Sequence, residues 1–357
     1  MGIALLYTLL FILIVTIIIL FKRIFNLSKK ISNLEKKTER AQLNKDPLDF
    51  YDIIVGIDTI KDLVTKGWKI SINEKQKEKI EKGANEDKVT IGVIGNRNKG
   101  KSFILQKLSN QMLQTGTMIS TRGLSLKYYE KYVLLDSAGF ESPVLINDIK
   151  EDNINELEKD NSYNYILDKS RDKLFTEDFL QNYIIQYSNV LIVVFGILSL
   201  SEQKLLIRIK KAYKEILKKQ PDKKLIIIHN LQTYETREEI NKYIEDVLLK
   251  SASFKVKKTK QSFVQKDIDF LHDIEDKSIY HLIYAREGSE AGEFYNDLTL
   301  NAIRTMNTMN TYAGKYDYKN TLKEHFKNVS NKFFEFKPNE EFELYEENPT
   351  LLKCKNL

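Results

Sequence analysis

A glycine-rich segment of this sequence has the residue types that bind a polyphosphate. It runs from Gly95 to Ser102 as G-N-R-N-K-G-K-S and satisfies the pattern G-x-x-x-x-G-K-[ST]. It follows an apolar run and precedes a helical pattern, so backbone N–H groups and the positive end of the helix would face the phosphates. Lys101 is expected to reach the β- and γ-phosphates, and Ser102 to bind Mg²⁺. The predicted phosphate-binding residues are Gly95, Asn96, Arg97, Asn98, Lys99, Gly100, Lys101 and Ser102.

A carboxylate at the end of a second apolar run is the next candidate. The run Tyr132–Asp136 is followed by Ser-Ala and then Gly139. In nucleotide hydrolases, an aspartate on a strand beside the phosphate-binding loop holds magnesium. Gly139 has no side chain to keep its backbone N–H from the γ-phosphate. Asp136 is otherwise an ordinary turn residue, but its position 34 residues beyond Ser102 favours the metal role.

A hydroxyl lies between these two elements, at Thr121. A threonine in this place can close over the γ-phosphate and bind magnesium, then release both after hydrolysis. Loops contain many threonines, so position alone does not separate this role from that of a plain loop residue. The predicted magnesium ligands are Ser102, Thr121 and Asp136, and the predicted γ-phosphate sensors are Thr121 and Gly139.

Taken together, three segments resemble the P-loop, switch threonine and D-x-x-G regions of guanylate-binding proteins and atlastins, which are large dynamin-like GTPases. The segments are Gly100–Leu108, Thr121–Gly123 and Val133–Phe140. The likeness extends to a branch of such P-loop proteins in single-celled eukaryotes, and it covers the nucleotide core but not the ends of the chain. It implies GTP and Mg²⁺ as ligands, Thr121 as a switch residue, membrane association, and a homodimer formed through the nucleotide faces.

The catalytic arginine of those families has no direct counterpart. Its place in the loop is occupied by Asn98, with Arg97 and Lys99 on either side. Either neighbour is a candidate to stabilise the charge that develops during phosphoryl transfer. Lys101 is the one catalytic residue that the sequence assigns.

The residues expected to read the base also depart from the family pattern. After the strand that ends near Ile228, the sequence has His229, Asn230 and Gln232 instead of a guanine-reading aspartate. An amide accepts at only one oxygen, whereas a carboxylate accepts from two guanine N–H groups. Glu287 or Glu290 in a later loop would supply the carboxylate, or both would cap a helix. The candidate base-binding residues are His229, Asn230, Gln232 and Glu287.

Around these residues, apolar runs alternate with helical patterns. The runs are apolar throughout, which predicts strands that are buried on both faces of a parallel sheet between helices. The expected fold is therefore an α/β, doubly wound, mainly parallel sheet in three layers, as in P-loop nucleoside triphosphatases.

The amino terminus predicts a membrane helix. Residues 3–21 form a run of 19 residues without a charge, which as a helix would span about 28 Å. Lys22, Arg23, Lys29 and Lys30 follow, so the bulk of the chain is expected to be cytosolic. A cleaved signal peptide is the alternative, but the run is too long and lacks a cleavage site.

Five regions follow from this reading. They are a transmembrane anchor in the lipid bilayer at 1–21, a stalk or short coiled coil at 22–47, adaptor strands and a charged helix at 48–88, a P-loop GTPase-like domain at 89–310, and a carboxyl-terminal helix and tail at 311–357.

Composition narrows the function. The single cysteine excludes an intrachain disulfide and a cysteine-built zinc site, and the net charge of +6 is spread along the chain, so no nucleic-acid partner is expected. The sequence favours a membrane-anchored GTPase. The alternatives are a nucleotide-binding tether without appreciable hydrolysis and a P-loop protein that uses ATP.

Overall fold

The computed structural model describes residues 22–23, 46–57, 59–111, 113, 123–140, 162–251, 256–261, 268–273, 276, 279–308, 313–335 and 353–354. The predicted membrane helix at 3–21, most of the stalk, Thr121 and most of the tail lie outside these residues. Among the helices described, none combines the length and the apolar character that crossing a membrane requires. The chain divides into two units, Met1–Asp46 and Pro47–Leu357, and the elements below belong to the second.

The described strands are β1 (Ile53–Gly56), β2 (Lys69–Ile72), β3 (Asp87–Ile94), β4 (Leu124–Tyr128), β5 (Tyr132–Ser137), β6 (Val190–Phe195), β7 (Lys224–Leu231), β8 (Val256–Gln261), β9 (Ile268–Asp273), β10 (Ile279–Ala285), β11 (Gly314–Lys315), β12 (Phe334–Glu335) and β13 (Lys353–Cys354). The α-helices are α1 (Ile60–Lys66), α2 (Lys77–Asn85), α3 (Lys101–Ser109), α4 (Ser162–Tyr187), α5 (Leu200–Leu217), α6 (Arg237–Tyr243), α7 (Glu290–Thr308) and α8 (Tyr318–Phe333). Short 3₁₀ turns cover Pro47–Asp49 and Glu74–Gln76, and a π-helical turn, Ile244–Leu248, continues α6.

The main sheet has the strand order β2-β1-β4-β5-β3-β6-β7-β10-β9-β8. Its centre, β5-β3-β6-β7-β10, is parallel, and the strands beyond it on both sides pair antiparallel. The strand that carries the phosphate-binding loop, β3, therefore lies between β5, which carries Asp136, and β6. The expected mixed α/β fold with a parallel central sheet is confirmed.

Burial on both faces explains why the central strands are apolar throughout. In β6, Val190, Ile192 and Val194 pack on the face that α3 and α7 cover, and the residues between them pack on the face covered by α1, α4, α5, α6 and α8. Because successive side chains of a strand point to opposite faces, a strand between two helical layers needs apolar residues at every position. The result is the three-layer arrangement.

Several elements differ from the sequence prediction. β4 is antiparallel to β5 because only three residues connect them, and such a short connection cannot cross over to a parallel strand. The hairpin of β8 and β9 was not predicted, and it extends the sheet beyond β10. α4 begins at Ser162, and α3 ends at Ser109 because Asn110 adopts a left-handed conformation with φ 53°.

Gly92 provides a test of the packing between β3 and the end of α4. A Cβ at this position would lie 2.0 Å from Ser188 Oγ and 2.5 Å from Ile184 Cγ2. We expect Gly92→Ala to lower the free energy of unfolding by about 1–3 kcal/mol, because the helix must move to admit the methyl group. Urea denaturation measures the change. Gly56→Ala in β1 is the control, since its Cβ would have no neighbour closer than 3.4 Å. Equal losses in both variants would contradict the proposed packing.

Candidate nucleotide-binding site

The phosphate-binding loop leaves β3 and enters α3 through residues with positive φ. The φ values are 153° at Gly95, 59° at Asn98 and 85° at Gly100. Glycine adopts such angles without strain, and asparagine tolerates the left-handed region better than most residues. A Cβ on Gly95 would lie 2.3 Å from Val194 O, and one on Gly100 would lie 2.3 Å from Asn230 Nδ2. The loop itself therefore requires the two glycines of the motif.

Lys101 is held inside this loop. Its side chain is buried at 7% exposure, and Nζ donates a hydrogen bond to Asn96 O at 3.1 Å. Burial lowers the pKa of Lys101 to about 8, while Asp136 and Glu177 act in the opposite direction. A buried ammonium group has lost its hydration, so its charged form is strongly stabilised by a nearby anion. A polyphosphate bound in the loop would therefore raise the pKa of Lys101 again.

Asp136 and Ser102 meet at the predicted magnesium site. Asp136 is fully buried at the end of β5, and its Oδ2 accepts a hydrogen bond from Ser102 Oγ at 2.6 Å. It also accepts one from the Tyr51 hydroxyl at 2.6 Å. No cluster of three or more histidine, cysteine or acidic residues occurs in the described part of the chain. One hydroxyl and one carboxylate nevertheless fit magnesium, which binds through one or two protein oxygens together with phosphates and water.

Gly139 lies against the phosphate-binding loop. A Cβ there would lie 2.4 Å from Arg97 Cα. The next residue, Phe140, pairs with the loop in both directions: Arg97 N donates to Phe140 O at 2.9 Å, and Phe140 N donates to Gly95 O at 3.3 Å. The D-x-x-G segment and the loop thus form one backbone unit. Thr121, the third predicted magnesium ligand, lies outside the described residues.

Lys99 has a structural partner. Its Nζ forms an ion pair with Glu202 Oε1 at 3.1 Å, and Glu202 is fully buried. Glu202 also accepts from the backbone N–H groups of Gly196 and Ser199, both at 3.0 Å. Removing the cation would leave a buried carboxylate without its counter-charge. Lys99 therefore fixes the loop to the start of α5.

Arg97 differs from Lys99 in having an unsatisfied donor. Its Nε is buried and has no hydrogen-bond partner among the residues that the structure describes. Asn98 is exposed at the tip of the loop. Of the two cations that flank Asn98, Arg97 is the one that keeps a donor for a ligand.

The predicted base-binding residues are not equivalent. His229 is fully buried in β7, where its Nε2 lies 3.2 Å from His281 Nδ1. A side chain with no accessible surface cannot contact a base from solvent, so assigning this role to His229 is not supported. The strand β7 continues to Leu231, beyond the apolar run that ends at Ile228, and this continuation places the His229 side chain in the core.

Asn230 and Gln232 connect the end of β7 to its surroundings. Asn230 Nδ2 donates to Lys99 O in the loop at 2.9 Å. Gln232 Nε2 donates to Asn230 Oδ1 at 2.9 Å and to Ala285 O at 3.1 Å, which links β7 to β10. These contacts bring the predicted base region next to the phosphate-binding loop.

Glu287 is already paired. Its Oε1 accepts from the Tyr284 hydroxyl at 2.9 Å and lies 2.5 Å from Lys107 Nζ of α3. Glu290 is the first residue of α7, and the preceding Ser289 caps the helix, because its Oγ accepts from Gly292 N at 3.0 Å. In the same region Arg286 forms an ion pair with Glu235, which joins the loops that follow β7 and β10. Binding a base through Glu287 would require it to leave Lys107.

Two residues of the site were not identified from the sequence. Glu202 belongs to a capping box with Ser199, a pattern that S-x-x-E makes readable. Tyr51 lies 85 positions from Asp136 and carries no local signal for this contact.

The strand order and the loop geometry are those of a P-loop α/β fold. No family model matches it. It is 23% identical to a heat shock protein of Dictyostelium discoideum in an alignment of 283 residues, which covers 73% of this chain and 40% of the length of that relative. Among solved structures it is similar to the crystal structure of a dimerization-deficient mutant of Toc33 from Arabidopsis thaliana. That likeness has 15% sequence identity and a TM-score of 0.36, over 67% of this chain and 90% of the other.

The buried His229 predicts acid sensitivity. Burial lowers its pKa from 6.5 to about 3. Between these values the unfolded chain binds a proton that the folded chain does not, so stability falls as the pH drops below 6.5 and is retained above it. We expect a loss of about 1.4 kcal/mol per pH unit from this residue.

Urea denaturation of the wild type and of His229→Asn between pH 7 and pH 4.5 measures this slope. Other groups also titrate in this range, and the comparison removes their contribution. The variant is expected to show a shallower pH dependence by about one proton. Parallel curves would contradict a neutral, buried histidine.

Proposed function

We propose that this chain binds GTP with Mg²⁺ and hydrolyses the β–γ phosphate bond. The observation that carries the proposal is the buried Lys101 inside a loop of correct backbone form, next to the hydrogen-bonded pair Ser102 and Asp136. A cation that is buried without a full counter-charge is costly. Its presence at this position is explained by an anionic ligand.

Each residue has a part in this proposal. Lys101 and the loop amides bind the phosphates and stabilise the charge that develops on them. Ser102 and Asp136 hold the metal, together with Thr121 if it closes over the site as the sequence predicts. When bound, magnesium would neutralise negative charge on the β- and γ-phosphate oxygens. Gly139, through its backbone N–H, senses the γ-phosphate.

Arg97 is the proposed source of additional positive charge in the transition state. Its buried Nε lacks a partner among the described residues, while Lys99 is engaged by Glu202. A donor of this kind, when it acts on the developing charge, contributes about 100-fold or more to turnover.

Guanine preference rests on the resemblance to guanylate-binding proteins and atlastins, and the same resemblance supports a switch-driven, self-associating GTPase. Asn230 and Gln232, at the end of β7, are the proposed base-binding residues, with Glu287 available if it leaves Lys107. An ATP-using protein is the alternative, because these amides do not distinguish the bases as a carboxylate would.

Membrane attachment through residues 3–21, with the main unit in the cytosol, completes the proposal. The support is the uncharged run and the basic residues that follow it, beginning at Lys22. A nucleotide-binding tether without appreciable hydrolysis is the second candidate, and Asn98 at the family's arginine position favours it.

Nucleotide competition tests the main proposal. The full chain in detergent, with Mg²⁺, is titrated with a fluorescent GTP analogue, and GTP and ATP are used as competitors. We expect GTP to compete at least about 10-fold better than ATP and phosphate to be released from it. Lys101→Ala should weaken binding by about 10- to 100-fold, because a charge-assisted hydrogen bond is lost.

Because Lys101 is buried at a cost, the same variant should unfold at an unchanged or higher temperature, which separates a binding defect from misfolding. Equal competition by ATP would contradict the guanine preference. Binding without phosphate release would favour the tether, and no binding of either nucleotide would contradict the proposal as a whole.

Arg97 and Lys99 are distinguished by a paired substitution. We expect Arg97→Ala to lower turnover by about 100-fold with little change in stability. Lys99→Gln should lower stability by about 1–3 kcal/mol, because Glu202 stays buried without its cation, and should reduce turnover less. Phosphate release and thermal unfolding are measured on both variants. A greater loss of turnover in Lys99→Gln would assign the catalytic charge to Lys99 instead.

A further inference from the structure

Tyr51 connects the beginning of the main unit to the magnesium site. It lies just before β1 and is buried at 2% exposure. Its hydroxyl donates to Asp136 Oδ2 at 2.6 Å, the same oxygen that accepts from Ser102 Oγ. The ring packs in the cluster beneath α3, with Ile104 and Leu105. A tyrosine from outside the predicted nucleotide core thus contacts the carboxylate that the proposed function assigns to the metal.

The backbone around Tyr51 is firmly held. The carbonyl of Pro47 accepts from Phe50 N at 3.0 Å and from Tyr51 N at 3.1 Å. Asp52 is buried, and its Oδ2 accepts from Tyr128 N at 2.8 Å and from Lys79 Nζ at 3.0 Å. The Tyr51 hydroxyl therefore has a defined position relative to β4 and β5.

Two hydroxyl donors on one carboxylate oxygen restrict the rotation of the group. A carboxylate accepts about four hydrogen bonds in all, so Tyr51 and Ser102 together occupy the directions available on Oδ2. The orientation of the other oxygen follows from these two contacts. Partners of this kind set the geometry of metal-binding carboxylates and change metal affinity when they are removed.

The segment that carries Tyr51 also lies at a boundary of the chain. The second unit begins at Pro47, and the residues before it belong to the first unit, which contains the predicted membrane anchor. If the Asp136 side chain moved, the Tyr51 hydroxyl bonded to it would also move. The backbone hydrogen bond from Tyr51 N to Pro47 O would carry this movement to Pro47. Packing alone does not account for the hydroxyl of Tyr51, because phenylalanine would fill nearly the same volume without the hydrogen bond to Asp136.

We infer that Tyr51 is a positioning residue that orients Asp136 toward magnesium and couples metal binding to the segment Pro47–Asp52. This inference rests on the proposed function, since it requires a nucleotide–magnesium complex at the site. It assigns to the adaptor region a part in metal binding that its sequence does not reveal.

Metal dependence of nucleotide binding tests the positioning role. Binding of a fluorescent GTP analogue to the full chain in detergent is measured as a function of Mg²⁺ concentration. Tyr51→Phe is expected to raise the Mg²⁺ concentration for half-maximal binding by about 10-fold, with binding in EDTA unchanged. Tyr128→Phe is the matched control, because its hydroxyl is buried without a partner among the described residues and does not contact Asp136. It should leave the Mg²⁺ requirement as in the wild type.

Hydrogen exchange tests the coupling. In the wild type, adding Mg²⁺ and the GTP analogue should slow amide exchange in the peptide that covers residues 47–52, and in Tyr51→Phe this response should disappear. A purely structural tyrosine would change exchange equally with and without ligand.

The outcomes separate the two proposals. If the wild type binds no nucleotide, both the proposed function and this inference fail. If it binds and Tyr51→Phe shows the same Mg²⁺ requirement, or the same exchange response, this inference alone is overturned.

Discussion

The ammonium group of Lys101 is buried in the phosphate-binding loop, where it donates a hydrogen bond to the backbone carbonyl of Asn96. Charge in such a place is unfavourable, and the lowered pKa of about 8 expresses that cost. Asp136 and Glu177 offset part of it. Burying this ammonium group costs free energy, which the rest of the fold offsets. A polyphosphate bound in the loop would supply the missing counter-charge and recover part of that cost.

Other residues of the site hold the phosphate-binding loop in the conformation that surrounds Lys101. Glu202 anchors it through Lys99, Asn230 through Lys99 O, and Phe140 through two backbone hydrogen bonds. The three anchors lie at or beyond the carboxyl ends of β6, β7 and β5, respectively, because these ends of parallel strands meet at one edge of the sheet. The loop, Asp136 and the predicted base region are therefore parts of one connected network.

The features that could be predicted from the sequence are those encoded by residues close together in the chain. The loop motif and the apolar strands depend on spacing over a few residues, and the mixed α/β fold followed from them. The contacts of Tyr51 and Glu202 depend on residues brought together by the sheet, and Tyr51 reaches Asp136 across 85 positions. His229 was wrongly assigned to the base because the strand was expected to end near Ile228, whereas β7 continues to Leu231 and buries the imidazole. The predicted membrane helix and Thr121 lie outside the described residues and stay predictions.

A crystal structure with Mg²⁺ and a non-hydrolysable GTP analogue tests the central claim most directly. We expect Lys101 Nζ to lie within about 2.7–3.2 Å of β- and γ-phosphate oxygens, with Ser102 bound to the metal and Asp136 beside it. A nucleotide bound elsewhere, with Lys101 still directed at Asn96 O and the loop unchanged, would contradict it.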